Sequence, residues 1–412
     1  MTVLKGMRVV EGSAFVAVPL AGMTLAQMGA EVIRFDRIGG GLDAGRWPLA
    51  PNGNSLFWAG MNKGKKSIAV DMKAAEGREL ISQIITAPGD DAGMFLTNLR
   101  VRGWMDYETL SKAREDLVMV TLTGDRHGRP QVDYTVNPAL GIPMMTGPED
   151  SQEPVAHALP AWDLIAGNLC VSALLAAERH RLRGHGGQEV EIALKDVAAA
   201  TLGHLGIIGD VSLNGADRGK AGNALYGAYG QDFLCADGRR VMVIGLTHRQ
   251  WIGLVKATGL GDAIKGLEAR LGLSLDDEGN RWRHRKAITA VFEPWFAARN
   301  VSDFEGTFNS AGLTWSEFRS VREAMSDDSD LSEDNPMFRA VKHPDTGTYL
   351  TPAHPAIFHG APREAATAAP VLGANTEEIL ADIVGLSSAS IGALFDKGLV
   401  DGPRTGAHKT AA

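Results

Sequence analysis

The sequence predicts an α/β protein in which a large doubly wound parallel-sheet domain is joined to a smaller α+β domain. Two observations carry this. Strand-like and helix-like segments alternate from the first residues onward, and the strand-like ones are near-continuous apolar runs rather than alternating ones. Past about residue 210 that alternation gives way to a Gly/Asn-rich loop, a hairpin and a group of helices.

The opening MRVVEGSAF is a short apolar strand. VAVPLAGMTLAQMGA then carries a helical stripe at Leu20, Met23, Leu25 and Met28, and EVIRF follows as a second strand. Strand, helix and strand in so short a span form a βαβ unit, which implies parallel strands and a right-handed crossover. KSIAVDM, a helix from Ala74 to Ile85 and GMFLTN repeat the pattern. LVMVTLTG is a further strand, apolar enough to be covered on both faces. Asp163 begins the longest clear helix, DLIAGNLCVSALLAAERHRLR, whose basic last turns suit the macrodipole. GQEVEIALKDVAAATLG reads as one more strand running into a helix. After the loop NGADRGKAGN, DFLCADGRRVMVIGL pairs two strands around Asp237-Gly238, and HRQWIGLVKATG is a helix. ANTEEILADIVG and SSASIGALFDKG are two short helices expected on the first domain, the former with Asn375 and Thr376 placed to cap it. Thr405 to Ala412 reads as disordered. The large domain is thus assigned to residues 1–210 and 340–412, the small one to 225–330, and the linkers to 211–224 and 331–339.

Composition bounds the function. A chain of 412 residues, 44% hydrophobic and 22% charged, exceeds what one core fills, since single cores stop growing at roughly 250–300 residues. Cys170 and Cys235 are too few for a disulfide framework and lack metal-ligand spacing, which fits a reducing cytoplasm. MTVLKGMRVV has no signal-peptide character, and no run approaches the roughly 20 uninterrupted apolar residues of a membrane helix, so a soluble protein is expected. A net charge of -8 argues against general nucleic-acid binding. The first quarter is nevertheless basic, through Arg34, Arg37, Arg46, Lys63, Lys65, Lys66, Lys73, Arg78, Arg100 and Arg102. Such a patch on an acidic chain suits a small polyanion, and solvated surface charge is the plainer reading. Gly39 to Gly41 does not give GxGxxG, GMNKGKKS lacks the Walker spacing, His180 and His185 have poor metal geometry, and HExxH and GxSxG are absent.

LKGMRVVEGSAFVAVPLAGMTLAQMGAEVIRFDR, MNKGKKSIAVDMKAAEG, FLTNLRVRGWMDYETL, PAWDLIAGNLCVSALLAA, ADGRRVMVIGLTHRQW and VLGANTEEIL stand in the order that characterises the class III CoA-transferases. The chain resembles that family along essentially its whole length. The family includes formyl-CoA:oxalate and carnitine CoA-transferases and the α-methylacyl-CoA racemases. The loops VDYTVNPALGIPMMTGP and NGADRGKAGNALYGAYGQDF are most similar to the branch that moves CoA between the two carboxyl groups of mesaconate.

The resemblance implies an acyl-CoA substrate, coenzyme A as part of that substrate with no permanently bound cofactor and no metal, and an interlocked homodimer. It places the nucleophile at Asp163, whose position in the first turn of a helix favours the ionised carboxylate; a plain helix cap is the alternative. Gly167, one turn on, leaves room beside it. It assigns coenzyme binding to Arg37, Val70, Lys73, Asn98, Leu99 and Arg102, with Arg37, Lys73 and Arg102 on phosphates and Val70 and Leu99 equally readable as core. Phe15 and Val16 would lie near the thioester. Where the racemases carry a His-Asp-x-Asn-Tyr stretch this chain has Val132-Asp133-Tyr134, so the catalytic His is replaced, and His127 and His157 read as surface or orienting residues. Intermolecular transfer, racemisation and CoA binding without turnover stay open as alternatives.

Overall fold

The computed structural model describes residues 1–403; the expectation for Thr405 to Ala412 lies outside the described residues. The chain divides into two compact units. The first comprises Met1–Leu140, Ala158–Ile207 and the chain from Asp328 on, and the second Gly141–His157 and Ile208–Asp327.

Six parallel strands build the first unit: β1 (Arg8–Gly12), β2 (Glu31–Arg37), β3 (Lys66–Val70), β4 (Met94–Thr97), β5 (Val118–Thr123) and β6 (Gln188–Ala193). All residues of β4 and β5 are buried, because crossover helices cover both faces of a doubly wound sheet. β6 lies at the edge and exposes Glu189 and Glu191, as edges that must not pair with other chains do. From β1 the chain runs outward to β2 and β3, then crosses back so that β4 lies on the other side of β1. The strand order therefore reverses between β1 and β4.

The helix Ala161–His180 begins two residues earlier than expected, so that Asp163 is its third residue. After His180 the winding loosens through Arg181–His185 and stops at Gly184, whose φ is 84°. By length and composition alone, Ala161–His185 is long and apolar enough to cross a membrane, and 44% of its most apolar window is buried within the chain. The uninterrupted-run criterion missed it because Asp163, Asn168 and Glu178 break the run, whereas a window average tolerates them.

In the second unit, β7 (Tyr229–Leu234), β8 (Arg240–Gly245) and β9 (Thr314–Glu317) form an antiparallel sheet. The helices His248–Thr258 and Arg285–Ala297 cover it with an aromatic core in which Phe233 and Phe296 stack at 4.3 Å. Thr247 and Gln250 close a capping box on the first of these helices.

The returning chain adds the hairpin β10 (Phe338–His343) and β11 (Gly347–Pro352), the helices Thr376–Asp382 and Ser388–Asp396, and β12 (Val400–Asp401), which pairs antiparallel with β3. Ile379, Leu380 and Ile391 join the core of the first unit. Asn375 and Thr376 do not cap their helix, contrary to expectation. Asn375 Oδ1 accepts the Ser67 N–H at 3.0 Å and Thr376 Oγ1 donates to the Asp401 carbonyl at 2.7 Å. Asn375 thus ties the returning chain to β3, and Thr376 ties its helix to β12.

Candidate active site

In an open α/β sheet the crevice beyond the carboxyl ends of the strands, at the reversal of strand order, is where ligands bind. Residues 13–16 cross that point at the end of β1, and successive backbone positions are held there. The Ala14 N–H donates to Asn98 Oδ1 at 2.9 Å, and the Ala14 carbonyl accepts from Asn98 Nδ2 at 2.8 Å. The Phe15 N–H donates to both oxygens of Asp43, at 2.9 and 3.0 Å. Arg34 donates to the Ser13 carbonyl at 3.2 Å. Among the described residues, Phe15 is the one non-glycine with positive φ, 68°. That conformation costs about 1–3 kcal/mol, and the grip of Asp43 and Asn98 maintains it.

Beneath the loop lies a charged interior. Glu11, Arg34, Asp36, Asp43 and Lys65 are all buried. Arg34 meets Asp36 at 2.9 Å and Asp43 at 3.2 Å, and Lys65 meets Glu11 at 2.8 Å. Burial opposes the Arg34 guanidinium, but Asp36, Glu11 and Asp43 outweigh it and raise its pKa. Lys65, where burial wins, is pushed down to about 8. The expected basic patch therefore needs correction: Arg34, Lys63 and Lys65 are buried and serve the interior, not a polyanion in solvent.

At Asp163 the structure also revises the electrostatics. Asp133 lies at the start of the helix Asp133–Ala139, and its Oδ2 accepts from the backbone N–H groups of Trp162 at 2.7 Å and Asp163 at 3.3 Å. It is this carboxylate, from elsewhere in the chain, that caps the Ala161–His180 helix. Asp163 is half-buried, and its pKa is pushed up to about 6 by burial and by the charge of Asp133, against a lowering by Arg46. The dipole argument, which favoured the ionised form, is overridden. Gly167 has a different purpose from the one expected. A Cβ there would lie 2.6 Å from the Ala17 carbonyl oxygen, so its absence lets this helix close onto the first turn of Ala17–Gln27, directly after Phe15 and Val16. Arg46 completes the group, its guanidinium 5.3 Å from the Phe15 ring and 5.1 Å from that of Phe57. Sequence reading counted Arg46 only within the basic patch, met Asp133 only in the comparison with the racemases and gave Asp43 no role; the loop LDAGRW after β2 was the available signal for Asp43 and Arg46.

The other candidates lie along one edge of the sheet. Arg37 ends β2 and donates to the Gly40 carbonyl at 2.6 Å. Lys73 follows β3, and Asn98, Leu99 and Arg102 follow β4. Arg37, Lys73 and Arg102 are exposed. Val70 is fully buried opposite Val400, so only its main chain can face a ligand. Leu99 packs partly buried against the same core, and Val16 is buried at 5% exposure. Val132 is exposed, and His127 is exposed beside Arg126. His157 belongs to the second unit. Among the described residues, no cluster of His, Cys, Asp and Glu is gathered to hold a metal.

Residues 4–376 match the family described as CoA-transferase family III. The chain is 55% identical over 402 residues to 2-methylfumaryl-CoA isomerase of Chloroflexus aurantiacus, covering 97% of this chain and 98% of that one. It is 24% identical over 408 residues to succinyl-CoA:glutarate CoA-transferase of Mus musculus, covering 97% and 91%. Its fold matches the crystal structure of a CaiB/BaiF family protein from Brucella suis with a TM-score of 0.76 at 24% identity, over 93% of this chain and 99% of that one. The doubly wound sheet is the fold it shares with that solved structure, and the chain belongs to CoA-transferase family III.

Proposed function

We propose that this protein moves CoA between the two carboxyl groups of mesaconate, with Asp163 as the nucleophile. The observation that carries the substrate assignment is the 55% identity, end to end, with a relative named 2-methylfumaryl-CoA isomerase. The nucleophile is supported by a half-buried carboxylate at a helix end, raised to about 6. At neutral pH it is ionised, yet more basic than an ordinary Asp and so more reactive toward a carbonyl.

The Asp163 carboxylate attacks the thioester carbonyl, forming a mixed anhydride and expelling CoA thiolate. The thiolate attacks the Asp163 carbonyl of the anhydride, giving an aspartyl-CoA thioester and free mesaconate. The other carboxylate of mesaconate then attacks that thioester to give the second anhydride, and the thiolate returns to the mesaconyl carbonyl, restoring Asp163. No proton is gained or lost. In this reading Arg37, Lys73 and Arg102 carry the coenzyme's phosphates. Asn98, Leu99 and the main chain of Val70 line its path, and Phe15 and Val16 border the thioester. We assign the reaction to the cytoplasm and to a homodimer, interlocked as in the family.

The test is incubation with mesaconyl-C1-CoA, with chromatography of the regioisomers and mass spectrometry of Asp163 after hydroxylamine trapping. Interconversion without any added acid, together with label on Asp163, is expected. Turnover that requires an added carboxylic acid would instead make the enzyme an intermolecular transferase, and CoA binding without label would make it a binding protein.

A further inference from the structure

We propose that Arg46 takes the free carboxylate of the acyl group, and so selects dicarboxylic monothioesters and retains the acid once its thioester is opened. The inference rests on the transfer reading above, and deepens it.

Chemistry sets the requirement. When CoA passes to Asp163, the acid left behind is a dianion held by no covalent bond, and one of its carboxylates must wait beside Asp163. A small dianion facing a carboxylate leaves unless a cation holds it. The nearby cations are mostly committed. Arg34 and Lys65 are buried and paired with Glu11, Asp36 and Asp43. Lys63 is buried and donates to the Gly60 carbonyl at 2.5 Å. Arg46 differs on every count. It is exposed, and no ion pair among the described residues holds it.

Its placement is built. The Arg46 N–H donates to the Asp43 carbonyl at 3.2 Å, and its own carbonyl accepts from Ser55 Oγ at 2.5 Å. The rings of Phe15 and Phe57, at 5.3 and 5.1 Å, flank the guanidinium. Flanking rings restrain the plane and leave N–H edges for a bidentate carboxylate, the geometry in which Arg binds such groups best. Arg46 also lies in the field of Asp163, whose pKa it lowers against the larger effect of burial. Asp43 thereby fixes two partners at once, Phe15 through its side chain and Arg46 through its main chain.

The experiment compares kcat/KM for mesaconyl-C1-CoA with the second-order rate of Asp163 labelling by the analogue that has a methyl in place of the free carboxylate. Arg46→Gln is expected to lower the ratio of the two rates by about 100-fold, roughly the loss of one charge-assisted bidentate contact. Arg46→Lys, which keeps the charge but not the fork, is expected to recover part of it. An equal loss on both thioesters would mean that Arg46 serves Asp163 or the fold, and would overturn the proposal. If neither thioester labels Asp163 in the unsubstituted enzyme, the transfer reading fails by itself. Inhibition by free mesaconate then decides Arg46: tighter than inhibition by a monocarboxylic analogue, and lost in Arg46→Gln, supports it; no difference between the acids overturns it.

Discussion

Asp133 and Asp163 stand at the same helix end and differ in what surrounds them. Asp133 is buried, at 1% exposure, and accepts from the first free N–H groups of the Ala161–His180 helix. Asp163 is half-buried on the third residue of that helix and carries a pKa raised from 3.8 to about 6. A helix terminus contributes about 0.3–1 kcal/mol toward an ionised acid. The shift at Asp163 corresponds to about 3 kcal/mol the other way, at roughly 1.4 kcal/mol per unit. Burial and the neighbouring charge therefore win. One carboxylate holds the backbone, and the other carries the raised pKa that supports the role proposed for it.

Asp163→Asn should separate the two most strongly. Turnover is expected to fall by about 10³-fold or more, because an amide is not a nucleophile toward a thioester. Stability should move the opposite way. A carboxylate whose folded pKa is raised contributes stability below its unfolded value, and loses it as pH rises through about 6. The unsubstituted protein bears that loss in full at pH 8. Asp163→Asn is thus expected to gain on the order of 1–3 kcal/mol at pH 8 and nothing at pH 4, as read by urea unfolding at both. A variant no more stable at pH 8 would mean that Asp163 is not under electrostatic stress.

Asp133→Ala should show the converse, losing about 1–3 kcal/mol because buried helix N–H groups are left unpaired. Asp133→Asn keeps an acceptor and removes the charge, so it isolates the electrostatic half. The acid limb of kcat/KM, with a midpoint near 6 in the unsubstituted enzyme, should move to lower pH in Asp133→Asn. In Arg46→Gln it should move to higher pH, since Arg46 lowers the Asp163 pKa. Titration of the rate from pH 4.5 to 8 checks both directions, and coincident midpoints would remove Asp133 from the account.

This division of labour was half legible in the sequence. β4 and β5 announce themselves because a strand buried on both faces is an unbroken apolar run. Asp163 was singled out by resemblance, with its helix start misplaced by two residues because the cap is Asp133, which only the fold brings there. Periodicity has no access to such a pairing. Glu11, Arg34 and Lys65 were hidden for a related reason: a charged residue reads as exposed unless its partners are known, and here Glu11 meets Arg34 and Lys65 from another strand, while Asp43 reaches Arg34 from a loop. β10 and β11 gave no signal because much of KHPDTGTY is polar and lacks the apolar run of a strand buried on both faces.

Asp43 extends the contrast to a third carboxylate, one that holds Phe15 against its own backbone preference. With φ at 68°, position 15 favours glycine over any residue with a Cβ. Phe15→Gly and Phe15→Ala both remove the ring that flanks Arg46, but only the former relieves the strain. Phe15→Gly should therefore be the more stable of the two by about 1 kcal/mol, although glycine is ordinarily the costlier residue for its entropy. Their KM values for the dicarboxylic thioester should rise together, by roughly 10-fold for the lost restraint on the guanidinium. Equal unfolding midpoints would mean that the loop relaxes once the ring is gone, so that Asp43 grips Phe15 without setting its conformation.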